Sequence, residues 1–284
     1  MTQNFRCGRF ELALDRPLVM AIINVTPDSF SGDGLANAPE LVRERALKAV
    51  EAGADILDIG GESTRPGSAA VSIKEELNRV IPIIEALRPI GVPLSVDTLK
   101  PEVMRASLAA GADLINDING FRAPGALEAV AASDCGLCVM HMQGEPRTMQ
   151  QNPHYDDVVA EVADFLRERV GEIEGAGVAR ARILIDPGFG FGKTLVHNVA
   201  LFEALQGFAQ IAPTLVGVSR KSMIGAITGL PVEQRTVPSV VAAIAAARRG
   251  AAILRVHDVA ETVAGLKIWK TLGPEKTVPG GKKI

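Results

Sequence analysis

The sequence predicts an α/β protein, a closed (β/α)8 barrel of the TIM type, on three observations. Short apolar, β-branched runs recur eight times along the chain. Runs of four to eight such residues without polar alternation suit strands buried on both faces. Each run is followed by a stretch with helical periodicity, which is the alternation of a parallel barrel. Nearly every run also ends in a charged or amide side chain, and barrels of this kind carry their chemistry at the C-terminal strand ends. At 284 residues the chain has the length of an ordinary one-domain barrel of roughly 250 residues. We therefore expect one domain over 1–284, with an N-terminal hairpin within 1–16 and a loose tail over 274–284.

The chain opens with FRCGRFELALD at 5–15, where Gly8 marks a turn and Phe10, Leu12 and Leu14 alternate. This predicts a hairpin placed to plug the barrel's N-terminal mouth. The first barrel strand, VMAIINVT, ends near Asn24, and Asn37-Ala38-Pro39 opens a helix over 39–52. The second, ILDIGGEST, ends near Glu62 and Thr64 before a helix over 74–88. The third, LSVDT, ends at Asp97, and Lys100-Pro101-Glu102 starts a helix over 101–110. LINDI ends at Asn116 before 124–133, and LCVMHM at His141 before 156–177. ILIDPGFG ends at Asp186 before a helix over 196–205. TLVGVSRKS carries Ser219 to Lys221 before 237–249, and ILRVHD carries Arg255 and His257 before 258–272. GADIL at 53–57 is echoed by GADLI at 111–115 and GAAIL at 250–254, each setting a glycine between helix and strand as a C-cap. From Pro274 to Ile284 the Gly, Pro and Lys content predicts a loosely held tail.

An open doubly wound sheet would need its Gly-rich phosphate loop after an early strand. The only rich glycine cluster, PGFGFGK at 187–193, follows the sixth, and Pro187 stands where a P-loop needs glycine. Net charge is −3, so no global field recruits nucleic acid or an anionic membrane. No apolar run approaches the ~20 residues of a bilayer span, and the first residues lack the apolar core of a secretory signal. The expectation is a cytoplasmic protein. Cys135 and Cys138 form a CxxC with His141 three residues on, which invites a zinc or redox reading. With no second cysteine pair to complete a structural zinc site, packing is the better reading.

Three kinds of group converge on the predicted mouth. Asp97, Asn116 and Asp186 lie inside or at the end of apolar runs, where an unpaired carboxylate costs several kcal/mol. Backbone N–H groups can satisfy one such residue; two Asp and an Asn together suggest a flat ligand rich in N–H donors. Lys221, Arg255 and His257 follow the last two strands, the usual phosphate-binding loops of such barrels. Arg255 and His257 are two apart and share a strand face, so an anion site fits better than scattered surface charges. TPDSFSGDG at 26–34 and GGESTRPG at 60–67 are long for tight connectors; they read either as exposed turns or as segments that close over a substrate. Phe30 and Arg65 carry more than turns require.

The strings IINVTPDSFS, DIGGESTRPG, SVDT, INDI, VMHM, IDPGFGFGKT, VSRKS and LRVHD occur in this order over residues 22–258. Together they closely resemble the dihydropteroate synthase family. The resemblance implies condensation of 6-hydroxymethyl-7,8-dihydropterin diphosphate with p-aminobenzoate, giving 7,8-dihydropteroate and pyrophosphate in folate biosynthesis. By motif position it implies a pterin site of Asp97, Asn116, Met140, Asp186, Lys221 and Arg255. It implies that Asn24, Arg255 and His257 hold the diphosphate, with Asn24 touching Mg²⁺. Phe30, Thr64, Arg65, Pro66 and Ser222 would shape the p-aminobenzoate site, which sulfonamides would share. Catalysis would fall to Arg255, His257, Lys221, Asp97 and Asp186, in a dissociative reaction whose ring cation is captured by the arylamine. A homodimer through the late helices is further implied, the small-residue stretch at 237–252 suiting either that contact or core packing.

One departure stands out: the family's first loop usually reads SFSDGG, whereas here Ser31-Gly32-Asp33-Gly34 moves the acid by one position. A pterin-binding methyltransferase barrel would share the Asp/Asn site but have no use for a diphosphate site. A catalytically silent pterin-binding subunit should have lost leaving-group residues, and a sulfonamide-insensitive relative should differ near Phe30 and Pro66 or after PGFGF. None of these features is present.

Overall fold

The computed structural model describes residues 3–25, 38–63 and 70–273. β1 (Asn4–Cys7) and β2 (Phe10–Ala13) pair antiparallel, and Gly8 turns between them with φ 52°. The barrel strands are β3 (Leu18–Asn24), β4 (Ile56–Gly60), β5 (Leu94–Asp97), β6 (Leu114–Asp117) and β7 (Gly136–Met140). They continue with β8 (Ile183–Asp186), β9 (Thr214–Val216) and β10 (Ala251–Val256). All eight are parallel, and β10 closes the barrel against both β9 and β3.

Between them run α1 (Ala38–Glu51), α2 (Ile73–Leu87), α3 (Pro101–Ala110), α4 (Ala126–Ala131), α5 (Val158–Gly175) and α6 (Leu195–Glu203). The short α7 (Leu205–Phe208) and α8 (Ser222–Thr228) follow, then α9 (Thr236–Arg248) and α10 (Val259–Leu272). Local chemistry sets the helix starts: Pro101 is pre-shaped for α3, Asp157 caps α5 by accepting from Val159 and Ala160 N–H, and Thr194 and His197 close a capping box on α6. Eight helices lie within two residues of their expected limits. Unanticipated were α7 and α8, too short for a periodic signal and, in α8, interrupted by Gly225. Gly53, Gly111 and Gly250 take the left-handed φ of helix ends, 103°, 109° and 89°.

Strand side chains alternate between two apolar environments. Outward residues such as Val19, Ile59, Val96, Val139 and Ile185 pack under the helices. Inward residues Leu18, Met20, Ile56, Leu114, Cys138, Leu184, Leu215 and Ile253 fill the N-terminal half of the barrel, joined by Phe5 and Cys7 of the hairpin. The hairpin is therefore the expected plug. Gly136 makes room for it: a Cβ there would stand 2.6 Å from Phe5 Cζ and 2.8 Å from Cys7 Cβ. Each such fully buried aliphatic or Phe side chain contributes ~1.5–3 kcal/mol. Cys135, just before β7, joins the outer shell, and Cys138, within it, the inner. Both thiols serve packing, and burial raises both above the ordinary range. No helix among the described residues is long and apolar enough to cross a membrane. The tail over 274–284 lies outside the described residues.

Candidate active site

The strands that begin in apolar plug residues end in polar ones. The inward positions two residues further along are Asp58, Asn116, Met140, Asp186 and Arg255, and on β5 Ser95 and Asp97 share one face. In register, Asn24 lies opposite Gly60, Gly60 opposite Asp97, Asp97 opposite Asn116, and Met140 opposite Asp186. The expected pterin residues Asp97, Asn116, Met140 and Asp186 thus come to neighbouring strand ends. Gly60 leaves space in that ring: a Cβ there would be 3.7 Å from Asn24 Oδ1 and 3.9 Å from Asp97 Cβ.

Arg255 crosses the barrel interior. Its Nε donates to Asp58 Oδ2 at 2.6 Å and its Nη2 to Asp97 Oδ2 at 2.9 Å. Burial works against the charge, but Asp58 and Asp97 outweigh it and raise the guanidinium's pKa. Asp58 also accepts from Ser95 Oγ and, at 3.5 Å, from Asn116 Nδ2. Burial pushes Asp97 up to about 7, Arg255 pulling against it and Asp58 pushing with it. The other Asp97 oxygen, Oδ1, is buried and has no hydrogen-bond partner among the described residues. A buried acceptor in that state costs ~1–3 kcal/mol until a donor meets it.

On the far side, Asp186 accepts from Gly188 N–H at 2.7 Å; burial raises its pKa, with Lys221 opposing. Gly188 has φ 72°, a backbone shape that favours glycine. Lys221, the residue capping α8, donates to the Phe189 carbonyl at 2.5 Å and lies 4.7 Å from the Phe191 ring centroid. Burial brings Lys221 down to about 8, with Asp186 holding it up. Met140 packs with Ile118, Met142 and Met149, adding an apolar wall. His257 is tied to Ser219, whose Oγ lies 3.1 Å from Nδ1 and accepts the His257 N–H at 3.2 Å. Ser222 opens α8 beside Lys221 with an exposed side chain. Asn24 is exposed at the end of β3. Phe30, Thr64, Arg65, Pro66 and Asp33 lie outside the described residues.

Asp58, Ser95 and Lys193 were not singled out in the sequence, although Asp58 sits in ILDIG as Asp97 sits in LSVD. A strict inward count at period two from Ile56 and Leu94's neighbour Ser95 would have found the first two. No three His, Cys, Asp or Glu among the described residues gather as a metal cluster, so Asn24 Oδ1 is the hard oxygen the expected assignment offers a cation. The arrangement can grip a flat polar ring between carboxylates, an amide and the cations Arg255 and Lys221, with the His257 imidazole following Arg255 on the same strand end.

Residues 20–257 match the family described as pterin binding enzyme. A dihydropteroate synthase of Escherichia coli (strain K12) is 51% identical over 259 residues, covering 90% of this chain and 92% of that protein. The crystal structure of a Burkholderia cenocepacia dihydropteroate synthase complexed with 7,8-dihydropteroate is similar at 54% identity and TM-score 0.88, covering 95% of this chain and 96% of that one. That of Xanthomonas albilineans with 4-aminobenzoic acid is similar at 51% identity and TM-score 0.91, covering 98% and 100%.

Proposed function

The chain belongs to the pterin binding enzyme family and, within it, to the dihydropteroate synthases, and from that premise we propose how its barrel mouth does the chemistry. It is a transferase joining the dihydropterin diphosphate to p-aminobenzoate to give 7,8-dihydropteroate and pyrophosphate. The observation that carries the reading is the buried polar ring, above all the unpartnered Asp97 Oδ1 beside Asn116, Asp186 and Lys221. Carboxylate and amide acceptors match the N–H edge of an aminopyrimidinone, and the Lys221 ammonium matches its ring acceptors. Met140 packs on the ring's face.

Arg255 and His257, with Asn24, take the diphosphate. The C–O bond to diphosphate breaks heterolytically, its electron pair leaving with the diphosphate. Arg255 and His257 stabilise the charge that builds there, an effect worth on the order of 10²-fold per lost contact. Asp97 and Asp186 offset the positive charge left on the ring. The neutral arylamine nitrogen then donates its pair to the exocyclic carbon and releases a proton to solvent. Asn24 fits a Mg²⁺ ion that travels with the diphosphate, because that ion keeps most of its ligands from water and phosphate. When bound it supplies charge neutralisation on the leaving group.

Phe30, Thr64, Arg65, Pro66 and Ser222 form the p-aminobenzoate site in this reading, and the chain acts as one pterin-binding domain in the cytoplasm. A second copy of the chain covers the late helices. Val237 and Val241 on α9, and Ile268 and Leu272 on α10, are 72%, 61%, 62% and 77% exposed at helical spacing. The alanines of the same stretch, Ala243, Ala246 and Ala247, pack inward. The deciding assay combines purified protein, the pterin diphosphate, p-aminobenzoate and Mg²⁺ and follows pyrophosphate and 7,8-dihydropteroate. Absence of both products from folded protein would refute the assignment.

A further inference from the structure

The segment from Pro187 to Thr194 supplies much of the pocket's scaffolding. Gly188 N–H holds Asp186, the Phe189 carbonyl holds Lys221, and the Phe191 ring lies against the same ammonium. This segment is pressed onto residues 141–143, which follow β7. A Cβ on Gly188 would stand 1.9 Å from the His141 carbonyl oxygen, and one on Gly192 2.5 Å from that of Gln143. At the segment's end stands Lys193, 3% exposed, which the chemistry above does not use. Its Nζ lies 2.9 Å from His141 Nδ1, 3.0 Å from the Phe191 carbonyl and 3.4 Å from the His141 carbonyl. All three ammonium donors therefore meet acceptors.

Burial lowers the Lys193 pKa to about 7, with Asp186 holding it up; in its ammonium form it has no lone pair, so Nδ1 accepts and the imidazole proton sits on Nε2. Burial, helped by Lys193 and Arg122, drives His141 down to about 2 and keeps the ring neutral. The His141 N–H donates in turn to the Asp186 carbonyl at 3.0 Å. One side chain thus ties together the ends of β7 and β8 and the glycine-rich segment. Burying a lysine costs several kcal/mol where an apolar residue would fill the space, so packing alone does not account for it.

We infer that Lys193 is a positioning residue for the pterin pocket, holding through His141 the backbone whose Gly188 N–H fixes the Asp186 carboxylate and whose Phe189 carbonyl fixes the Lys221 ammonium. The inference rests on the pterin reading above. It makes the lysine's effect specific to one substrate, because p-aminobenzoate is assigned to other loops.

The test is a steady-state comparison of parent and variants, with 6-hydroxymethylpterin binding measured by calorimetry. Lys193→Met should lower kcat/KM for the pterin diphosphate by about 10²-fold, the usual cost of a misplacement of about 1 Å, and weaken pterin binding. KM for p-aminobenzoate should stay near the parent value. His141→Leu should show the same split, and His141→Asn, whose amide oxygen stands near the position of Nδ1, should recover part of it. Should Lys193→Met fail to fold, the two His141 variants decide the matter by themselves. Lower stability with both KM values and kcat unchanged would mark Lys193 as purely structural and overturn the inference, as would equal changes for both substrates. A parent enzyme that binds no pterin would overturn the pocket assignment instead.

Discussion

Replacing Arg255 with alanine tests fold and site together. Its guanidinium contacts Asp58 and Asp97, whose side chains are 0% and 9% exposed. Removing it leaves two carboxylates inside the barrel without that cation, and breaking a buried pair in this way costs ~3–5 kcal/mol. Asp58 keeps its bonds from Ser95 and Asn116, which favours the lower end. Against a typical total of ~5–15 kcal/mol this is a severe but survivable loss. At ~2–4 °C per kcal/mol for a chain of this size, the melting midpoint should fall by roughly 10 °C. Without Arg255 the Asp97 carboxyl is held higher still, so the deficit should be largest above pH 7 and shrink as pH falls. His257→Ala is the comparison. It loses a hydrogen bond to Ser219 worth ~1 kcal/mol, so its midpoint should move only a few degrees. Turnover should fall by on the order of 10²-fold in both, since each loses the leaving-group contact that we propose for it. Calorimetric melts across pH and steady-state rates on folded protein decide it. An Arg255→Ala protein that melts with its parent would refute the buried-pair argument, and parent-like turnover in both would remove the leaving-group assignment.

Asp97 makes stability depend on pH. Burial holds it at about 7 against 3.8 for the free group, so between those values the folded chain keeps a proton that the unfolded chain has lost. Its contribution should therefore decline as pH rises through that window, and Asp97→Asn should flatten the slope of urea-denaturation stability against pH; matching slopes would sink the claim. Gly136→Val should drive a side chain into Phe5 and Cys7 and cost ~1–3 kcal/mol by overpacking, and an unchanged urea midpoint would mean the plug yields freely. Phe30→Leu or Pro66→Ser should raise a sulfonamide's Ki more than the p-aminobenzoate KM, because a contact made only to the longer ligand changes only its affinity. Equal shifts in competition kinetics would count against it. Light scattering at micromolar concentration should give a dimer mass for the parent and a monomer mass for Val241→Asp, and a monomeric parent would rule the interface out.

Much of this was legible in one dimension because two signals are local. Buried strands must read as apolar runs and their partner helices must repeat at 3.6, so strand order, helix limits and the hairpin plug followed from pattern. A polar residue that closes an apolar run is costly unless it has a purpose, which marked Asn24, Asp97, Asn116, Asp186, Lys221, Arg255 and His257 before any coordinates. Pairing was not legible. Arg255 meets Asp58 across 197 positions of sequence and Lys193 meets His141 across 52, and no periodicity encodes which charge a closed barrel will set opposite another. The same limit hid α8, whose short, glycine-interrupted sequence becomes a helix only where the barrel seats Met223 and Ile224. Nor did the stretch 237–252 show which of its residues face in: Ala243, Ala246 and Ala247 are buried, while Val237 and Val241 are exposed. Neighbours along the chain thus fixed which polar side chains close the strands at the barrel's mouth. Which of them touch, and how their charges settle, depends on distances across a ring of eight strands and is set by the closed barrel alone.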